Sequence, residues 1–209
     1  KDPQFKFRST LYDNRTVAIS EGTKKYLVKL NIWNKIKLHS ESIRQIKVID
    51  RNKKTNIDFE NKENNSNLGY IVKNNILSKI LLKELINYKN FKLITGNQLI
   101  SLEQKTSKII SETTKISCSS DLLIAADGKN STVKKIANIP SYHKDYNQSA
   151  VVICFYHQKS HKNTAYEFFY DSGPLAILPM KNEKKTYCSS IVWSNNNNSR
   201  IMFKKILIA

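Results

Sequence analysis

The pair Asp127 and Gly128 joins an acidic side chain to a flexible backbone position, in the run Asp-Leu-Leu-Ile-Ala-Ala-Asp-Gly-Lys-Asn-Ser-Thr-Val-Lys-Lys at residues 121–135. The apolar residues 122–126 predict a buried strand, and the periodicity after Ser131 predicts a helix that Ser131 caps. Gly128 can adopt positive φ or allow a close backbone approach. Ligands bind at the carboxyl ends of strands in open α/β sheets, so Asp127 is a candidate ligand contact. Asp-Gly is also a common turn, and both interpretations stay open.

Arg15 is the second candidate binding residue, because the guanidinium fork suits a phosphate or a carboxylate. It lies in a stretch of small residues before a predicted helix that Ser20 would start. That helix would turn these residues toward one face: Tyr26, Leu27, Leu30 and Trp33. We expect Trp33 to be in the core. The alternative interpretation of Arg15 is an exposed loop cation.

The order of helices and strands that must position these residues predicts an α/β protein. Near Pro140 the predicted structure changes from mixed helices and strands to mainly strands. Before it, a helix is expected at 78–88, directly after Asn74-Asn75, with six strands at 43–51, 56–60, 91–94, 99–103, 108–111 and 115–117. After it, β-branched and aromatic runs predict a mostly antiparallel sheet from strands at 150–157, 165–170, 175–178 and 187–193. A last helix is expected at 201–208.

The formal net charge of the 209-residue chain is +18, from 35 basic and 17 acidic residues. Such a charge is typical of proteins that bind nucleic acid or an anionic membrane surface. The basic residues are scattered through the predicted elements and accompany many Asn and Ile residues. Lys, Asn and Ile all have AT-rich codons, so genomic base composition explains the charge without a polyanionic partner. We therefore expect no nucleic-acid partner and at most peripheral contact with a membrane, in a cytoplasmic protein or one peripheral at the inner membrane.

Cysteine and histidine usage indicates neither a disulfide framework nor a metal site. Cys118, Cys154 and Cys188 are widely spaced, which is typical of buried free thiols in a reducing compartment. The four histidines form no helical metal-binding pair, so we expect no metal. No apolar run approaches the ~20 residues that span a bilayer.

Four stretches occur in a characteristic order: Asp13 to Ser20 with the helix after it, Leu68 to Val72 with the helix from Ile76, Asp121 to Lys134, and Gly173 to Pro179 with Ser190 to Ser194. In this order they resemble the FAD-dependent aromatic-ring hydroxylases, and within them the ubiquinone-biosynthesis hydroxylases. The resemblance covers the central portion of that family only. Its N-terminal Gly-rich unit and its C-terminal Gly-Asp motif have no counterpart here, so we expect this chain alone to be inactive.

The resemblance implies a partial FAD-binding three-layer domain at 1–140 and a partial β-sheet-dominated substrate domain at 141–209. Segments before residue 70 would also approach the substrate domain. Arg15, Asp127 and Gly128 would contact or border FAD, and NAD(P)H would be the reductant. The strand aromatics Phe155, Phe168, Phe169 and Tyr170 would either line the ring pocket or belong to the core.

The chemistry that the resemblance implies is reduction of the flavin by a nicotinamide, activation of oxygen, and hydroxylation of a phenolic ring. The substrate would be a polyprenylated phenol, and the partners would be complementing fragments or other quinone-biosynthesis proteins. No catalytic residue is assigned. Two other functions stay open: a basic binding protein for nucleic acid or an anionic membrane, and a non-catalytic remnant.

Overall fold

The computed structural model of the chain describes residues 13, 15–51, 53, 55–61, 66–183 and 186–196. In this part the strands are β1 (Thr16–Ser20), β2 (Ser40–Ile43), β3 (Gln45–Asp50), β4 (Thr55–Glu60), β5 (Gly69–Lys73), β6 (Leu99–Gln104), β7 (Ile109–Thr113), β8 (Ser117–Ser120), β9 (Gln148–His157), β10 (Thr164–Tyr170), β11 (Gly173–Glu183) and β12 (Thr186–Asn196). The helices are α1 (Glu21–Lys29), α2 (Trp33–Lys37), α3 (Asn74–Ile86) and α4 (Thr132–Ile136). The predicted mixed α/β class is confirmed, whereas the predicted helix at 201–208 lies outside the described residues.

The described residues form two compact units. The first includes Lys92–Lys144 and contains the antiparallel meander β6-β7-β8 and α4. The second includes the described residues through Phe91 and from Asp145 onward. The units therefore divide the chain differently from the functional domains 1–140 and 141–209, which stay a prediction.

The second unit contains two sheets, of order β1-β5-β2 and β4-β3-β10-β11-β12-β9. In the six-stranded sheet only the β3–β10 pair is parallel, with Gln45 opposite Thr164 and Asp50 opposite Phe169. The predicted, mostly antiparallel sheet is confirmed. Strands β3 and β4, which come before residue 70, extend this sheet, whereas its role as a substrate domain stays a prediction.

Strand β5 separates two cores because its side chains alternate between two buried faces. Tyr70 and Val72 join the helix-side core, which also contains Ile19, Trp33 and Ile36. Ile71 joins the sheet-side core, which also contains Ile43, Ala165, Met180 and Cys188. The three-stranded sheet thus lies between helices and the six-stranded sheet within this unit.

The helix that Ser20 starts is shorter than its periodicity predicted. The Ser20 hydroxyl accepts a hydrogen bond from the Thr23 amide at 3.2 Å, which confirms the cap. Asn31 then adopts a left-handed φ of 58°, which ends α1 before α2 begins at Trp33. Trp33 is 5% exposed, as predicted, whereas Tyr26 and Leu30 are exposed.

Two predicted strands, at 91–94 and 122–126, are wrong. Both segments have strand-like composition, but among the described residues neither pairs with a neighbouring strand. Leu122 is 71% and Ile124 is 76% exposed, so the predicted burial is wrong as well. A strand needs a partner for its backbone groups, and composition alone does not supply one. None of the described helices has the length and apolar character that crossing a membrane requires.

Candidate functional site

Asp127 lies between the segment 122–126, which is neither strand nor helix, and α4, and its carboxylate caps that helix. Oδ1 accepts a hydrogen bond from the Ser131 hydroxyl at 2.5 Å. Oδ2 accepts hydrogen bonds from the amides of Thr132 at 2.6 Å and Val133 at 3.2 Å. The Ser131 hydroxyl in turn accepts from the Lys134 amide at 2.9 Å, which confirms the predicted Ser131 cap. The carboxylate therefore holds the turn in one geometry.

Gly128 has a φ of 83°, a left-handed conformation that side chains rarely adopt. A Cβ built there would meet no atom within 4 Å, so the backbone angle and not crowding favours glycine. Beside this turn lies a cleft of about 290 Å³ that is lined by Asp127, Lys129, Asn130 and Thr132. Carboxylate, cation, amide and hydroxyl groups thus face one small space.

Removing the Asp127 carboxylate should release the amides that begin α4. In Asp127→Ala we expect faster hydrogen exchange at Thr132 and Val133, whereas Asp121→Ala should leave both amides unchanged. The hydrogen bond from Ser131, with the two amides, lowers the pKa of Asp127 below its ordinary 3.8. The cap therefore contributes stability above pH 3.8 and loses it as pH falls through the lowered pKa. Equal protection of these two amides above and below that range, measured as the exchange rate relative to the intrinsic rate at each pH, would contradict this role.

Arg15 precedes β1, and its guanidinium forms a two-point ion pair with Asp13. Nε lies 2.8 Å from Oδ1, and Nη2 lies 2.8 Å from Oδ2. This contact lowers the pKa of Asp13 to about 2. The Arg15 carbonyl accepts a hydrogen bond from the Asn74 amide at 2.9 Å, where α3 begins. The Arg15 side chain is nevertheless 71% exposed, so the guanidinium is accessible to a ligand.

The three predicted cofactor-binding residues are divided between the two units. Asp127 and Gly128 are adjacent in the first unit, and Arg15 lies in the second. In the described part of the chain, no three His, Cys, Asp or Glu side chains are grouped so that they could hold a metal ion. None of the three cysteines, all of which lie in the described part of the chain, forms a disulfide, and of the three only Cys188 is buried, so the burial prediction is wrong for Cys118 and Cys154.

A cluster around Lys73 was missed by sequence reasoning. Lys73 Nζ lies 2.7 Å from Glu183 Oε1, and the Tyr156 hydroxyl donates to Glu183 Oε2 at 2.6 Å. Burial tends to lower the pKa of Lys73, but the Glu183 contact outweighs it and the pKa is raised. These residues are far apart in sequence, and the packing of β5 against the six-stranded sheet brings Lys73 to Glu183.

The strand aromatics for which a ring pocket and the core were the two interpretations do not share one face of the sheet. Phe168 pairs with Leu175, and the next residue, Phe169, pairs with Pro174 and must point to the opposite face. The rings of Tyr166, Phe168 and Tyr170 stack in a row, with centroids 6.0 and 6.3 Å apart. The expected set can therefore contribute only in part to any single pocket.

Comparison with known proteins relates nearly the whole chain to one group. A family model described as FAD binding domain matches residues 6–203. Ubiquinone hydroxylase UbiL of Rhodospirillum rubrum is 28% identical over 89% of this chain and 43% of its own length. Ubiquinone biosynthesis monooxygenase COQ6 of Homo sapiens is 30% identical over 90% of this chain and 42% of its own length. The chain thus spans less than half of these relatives.

Solved structures share the fold at low sequence identity. A variant of P. aeruginosa PqsL superimposes with a TM-score of 0.76 at 11% identity, over 90% of this chain and 52% of that one. CmlS, a flavin-dependent halogenase, superimposes with a TM-score of 0.69 at 15% identity, over 90% of this chain and 36% of that one. At such identity the likeness is one of fold.

Proposed function

Because this chain belongs to the FAD binding domain family, we propose that it is the central part of an FAD-dependent monooxygenase that hydroxylates a phenolic ring in ubiquinone biosynthesis. The observation that carries the proposal is the alignment of 89% and 90% of the chain with ubiquinone hydroxylases of a bacterium and an animal. Bound FAD would supply the redox chemistry, taking electrons from NAD(P)H and activating oxygen. The residues of this chain would bind and orient.

The residues of the Asp127 turn fit one portion of FAD. The cleft of about 290 Å³ is at the small end of ligand pockets, so it suits a phosphate or a hydroxyl-bearing chain and not a whole dinucleotide. Lys129 and Asn130 offer donors, and Asp127 can accept from a hydroxyl group. We infer that Asp127 acts mainly by fixing the turn, since amides and the Ser131 hydroxyl already use both of its oxygens. Gly128 would let the backbone approach the cofactor.

Arg15 would contact FAD through its exposed guanidinium. Its Nε and Nη2 already serve Asp13, so a ligand would use the remaining N–H groups or displace that carboxylate. Arg15→Lys would keep the positive charge and lose the fork. Asp127, Gly128 and Arg15 thus supply a fixed turn and a cation, and the relatives' greater length suggests that further segments complete the site.

We propose that those segments belong to the same polypeptide, to complementing fragments or to other quinone-biosynthesis proteins. The substrate would be a polyprenylated phenol, whose apolar tail favours a membrane surface. A cytoplasmic protein, or one held peripherally at the inner membrane, suits that substrate, and the net charge of +18 would favour contact with anionic lipids.

The proposal can be tested in a chimera in which residues 6–203 replace the matching segment of R. rubrum UbiL. We expect the purified chimera to retain FAD and to oxidise NAD(P)H faster when a polyprenylated phenol is added. Arg15→Gln should weaken FAD binding about 10-fold or more, since charged hydrogen bonds contribute about 1.5–3 kcal/mol. Flavin absorbance per protein and a fluorescence titration measure this.

The matched control for Arg15→Gln is Arg44→Gln, because Arg44 is an exposed arginine of the same unit. It should leave FAD affinity within about 2-fold of the parent. A chimera that unfolds cooperatively yet binds no FAD at saturating concentration would contradict the cofactor assignment. If the chimera retains FAD but oxidises NAD(P)H at the same rate with and without the phenol, the result would contradict the substrate class.

A further inference from the structure

A second cleft, of about 320 Å³, lies where the loop 158–163 joins β9 to β10. The six-stranded sheet contributes Phe155, Tyr166 and Ile177 to its lining, and the loop contributes Lys159, Ser160, His161 and Lys162. The remaining lining residues are His157, Thr164 and Ser189. The second unit thus supplies every lining residue.

Strand register places this cleft on the outer face of the six-stranded sheet, opposite the sheet-side core. Phe155 pairs with Ser189, and both therefore point away from the face that carries buried Cys188. Tyr166 pairs with Ile177 and likewise alternates with buried Ala165. The cleft is therefore separate from the face that packs against β5.

The His157 ring is held in one tautomer by two hydrogen bonds. Nδ1 lies 2.6 Å from the carbonyl oxygen of Lys159, which can only accept, so Nδ1 carries the hydrogen. Nε2 then accepts from the Ser189 hydroxyl at 2.9 Å, and Ser189 is only 2% exposed. Tyr187 stacks on the ring with centroids 6.0 Å apart. The polar wall of the cleft is therefore rigid before any ligand arrives.

His161 offers a donor to the cleft. Its Nδ1 accepts a hydrogen bond from the Asn163 amide at 3.0 Å, so the hydrogen is on Nε2. That group donates to Asn182 Oδ1 at 3.3 Å, a long bond that a stronger acceptor could replace. An anion in the cleft would be such an acceptor.

The loop beside the histidines is fixed in a strained conformation. Lys162 and Asn163 have φ values of 50° and 55°, which non-glycine residues adopt at a cost. The Asn163 side-chain amide lies 2.6 Å from Glu41 Oε1 and 3.0 Å from Ser42 Oγ, which anchors the loop. Strain maintained in this way is typical of ligand-binding loops, and it reduces the ordering cost of binding.

The cleft offers cations and an apolar floor without a carboxylate. Lys159 and Lys162 carry positive charge, and no Asp or Glu is among the lining residues. Phe155 and Tyr166 offer ring surfaces against which a planar group can pack. We propose that this cleft binds a small aromatic anion, a planar ring that carries a carboxylate or a phosphate. The ring lies on the sheet, and the anionic group lies between the two lysines and His161.

The four histidines provide the test, because two line the cleft and His39 and His143 do not. Imidazole NMR signals are followed while the full chain is titrated with phenyl phosphate, benzoate, phenol or inorganic phosphate. We expect saturable shifts at His157 and His161 alone, with at least one aromatic anion binding about 10-fold tighter than phenol and inorganic phosphate. The better of the two aromatic anions identifies the anionic group.

Equal shifts at all four histidines, or none at His157 and His161, would overturn the proposal. Phenol binding as tightly as the aromatic anions would also overturn it, because the cations of the cleft would then add nothing to affinity. Inorganic phosphate binding as tightly would overturn it because the ring surfaces would add nothing.

Charge-matched variants separate the cleft from the general basicity of the chain. Lys159→Gln with Lys162→Gln should weaken binding of the better aromatic anion about 10-fold or more. Lys25→Gln with Lys29→Gln removes the same charge from exposed positions of α1 and should change affinity less than about 2-fold. Equal weakening by both pairs, or an unchanged affinity in the first pair, would contradict the site.

Discussion

Gly173→Ala is expected to destabilise the second unit by about 3 kcal/mol. Gly173 begins β11 with a φ of 133°, a conformation closed to ordinary side chains. A Cβ at this position would overlap the carbonyl oxygen of Ser194 in β12, a backbone atom that cannot move without disturbing the sheet. Backbone strain and overpacking each cost about 1–3 kcal/mol. Together they would remove a large part of the 5–15 kcal/mol that stabilises a typical domain.

Urea unfolding followed by far-UV circular dichroism measures this loss. Gly22→Ala is the matched control, because Gly22 lies in α1 and a Cβ there meets only the Ser20 hydroxyl at 3.8 Å. That substitution should stabilise the unit by about 0.5–1 kcal/mol, the reverse of the effect at Gly173. An unfolding midpoint for Gly173→Ala equal to that of the parent chain would show that β11 and β12 adjust more freely than their close approach implies.

Trp33→Ala is expected to destabilise the same unit by about 3–5 kcal/mol. The indole is 5% exposed and meets the Tyr70 ring edge to face, with centroids 4.7 Å apart. Lys24 Nζ lies 5.8 Å from the centroid of the indole and 5.1 Å from that of Tyr70. Removing the indole therefore leaves a cavity in the helix-side core and removes a cation–π contact.

The control for Trp33→Ala is Leu38→Ala, which removes a large side chain just after the same helix. Leu38 is 70% exposed, so its loss should cost no more than about 0.5 kcal/mol. Urea unfolding followed by far-UV circular dichroism suits both variants, since that signal comes mainly from the backbone. If the two variants unfold at the same urea concentration, the helix-side core does not stabilise the unit as its burial indicates.

Local chemistry made the elements near the candidate site predictable. Ser20 and Ser131 cap the helices that their side chains predicted, and Asp127 with Gly128 forms the predicted turn. Each of these features depends on groups within a few residues of one another. The β-branched and aromatic strands after residue 147 were predictable for the same reason, because their composition and turns are local signals.

Features that depend on distant residues were not predictable. Residues 91–94 and 122–126 have strand composition, but pairing needs a partner that composition cannot supply. No local signal encodes the strand register that brings His157 to Ser189, or the packing of two sheets that brings Lys73 to Glu183.

The exposed apolar segment 122–126 has a consequence for how the chain behaves at high concentration. Its apolar side chains and its backbone, which pairs with no strand among the described residues, have the features of a template for intermolecular β pairing. Asp121 and Lys129 flank the segment and act as charged gatekeepers that oppose such contact. Solubility of the chain therefore depends on the repulsion that its net charge of +18 provides, and raising the salt concentration, which screens that charge, would promote aggregation through this edge.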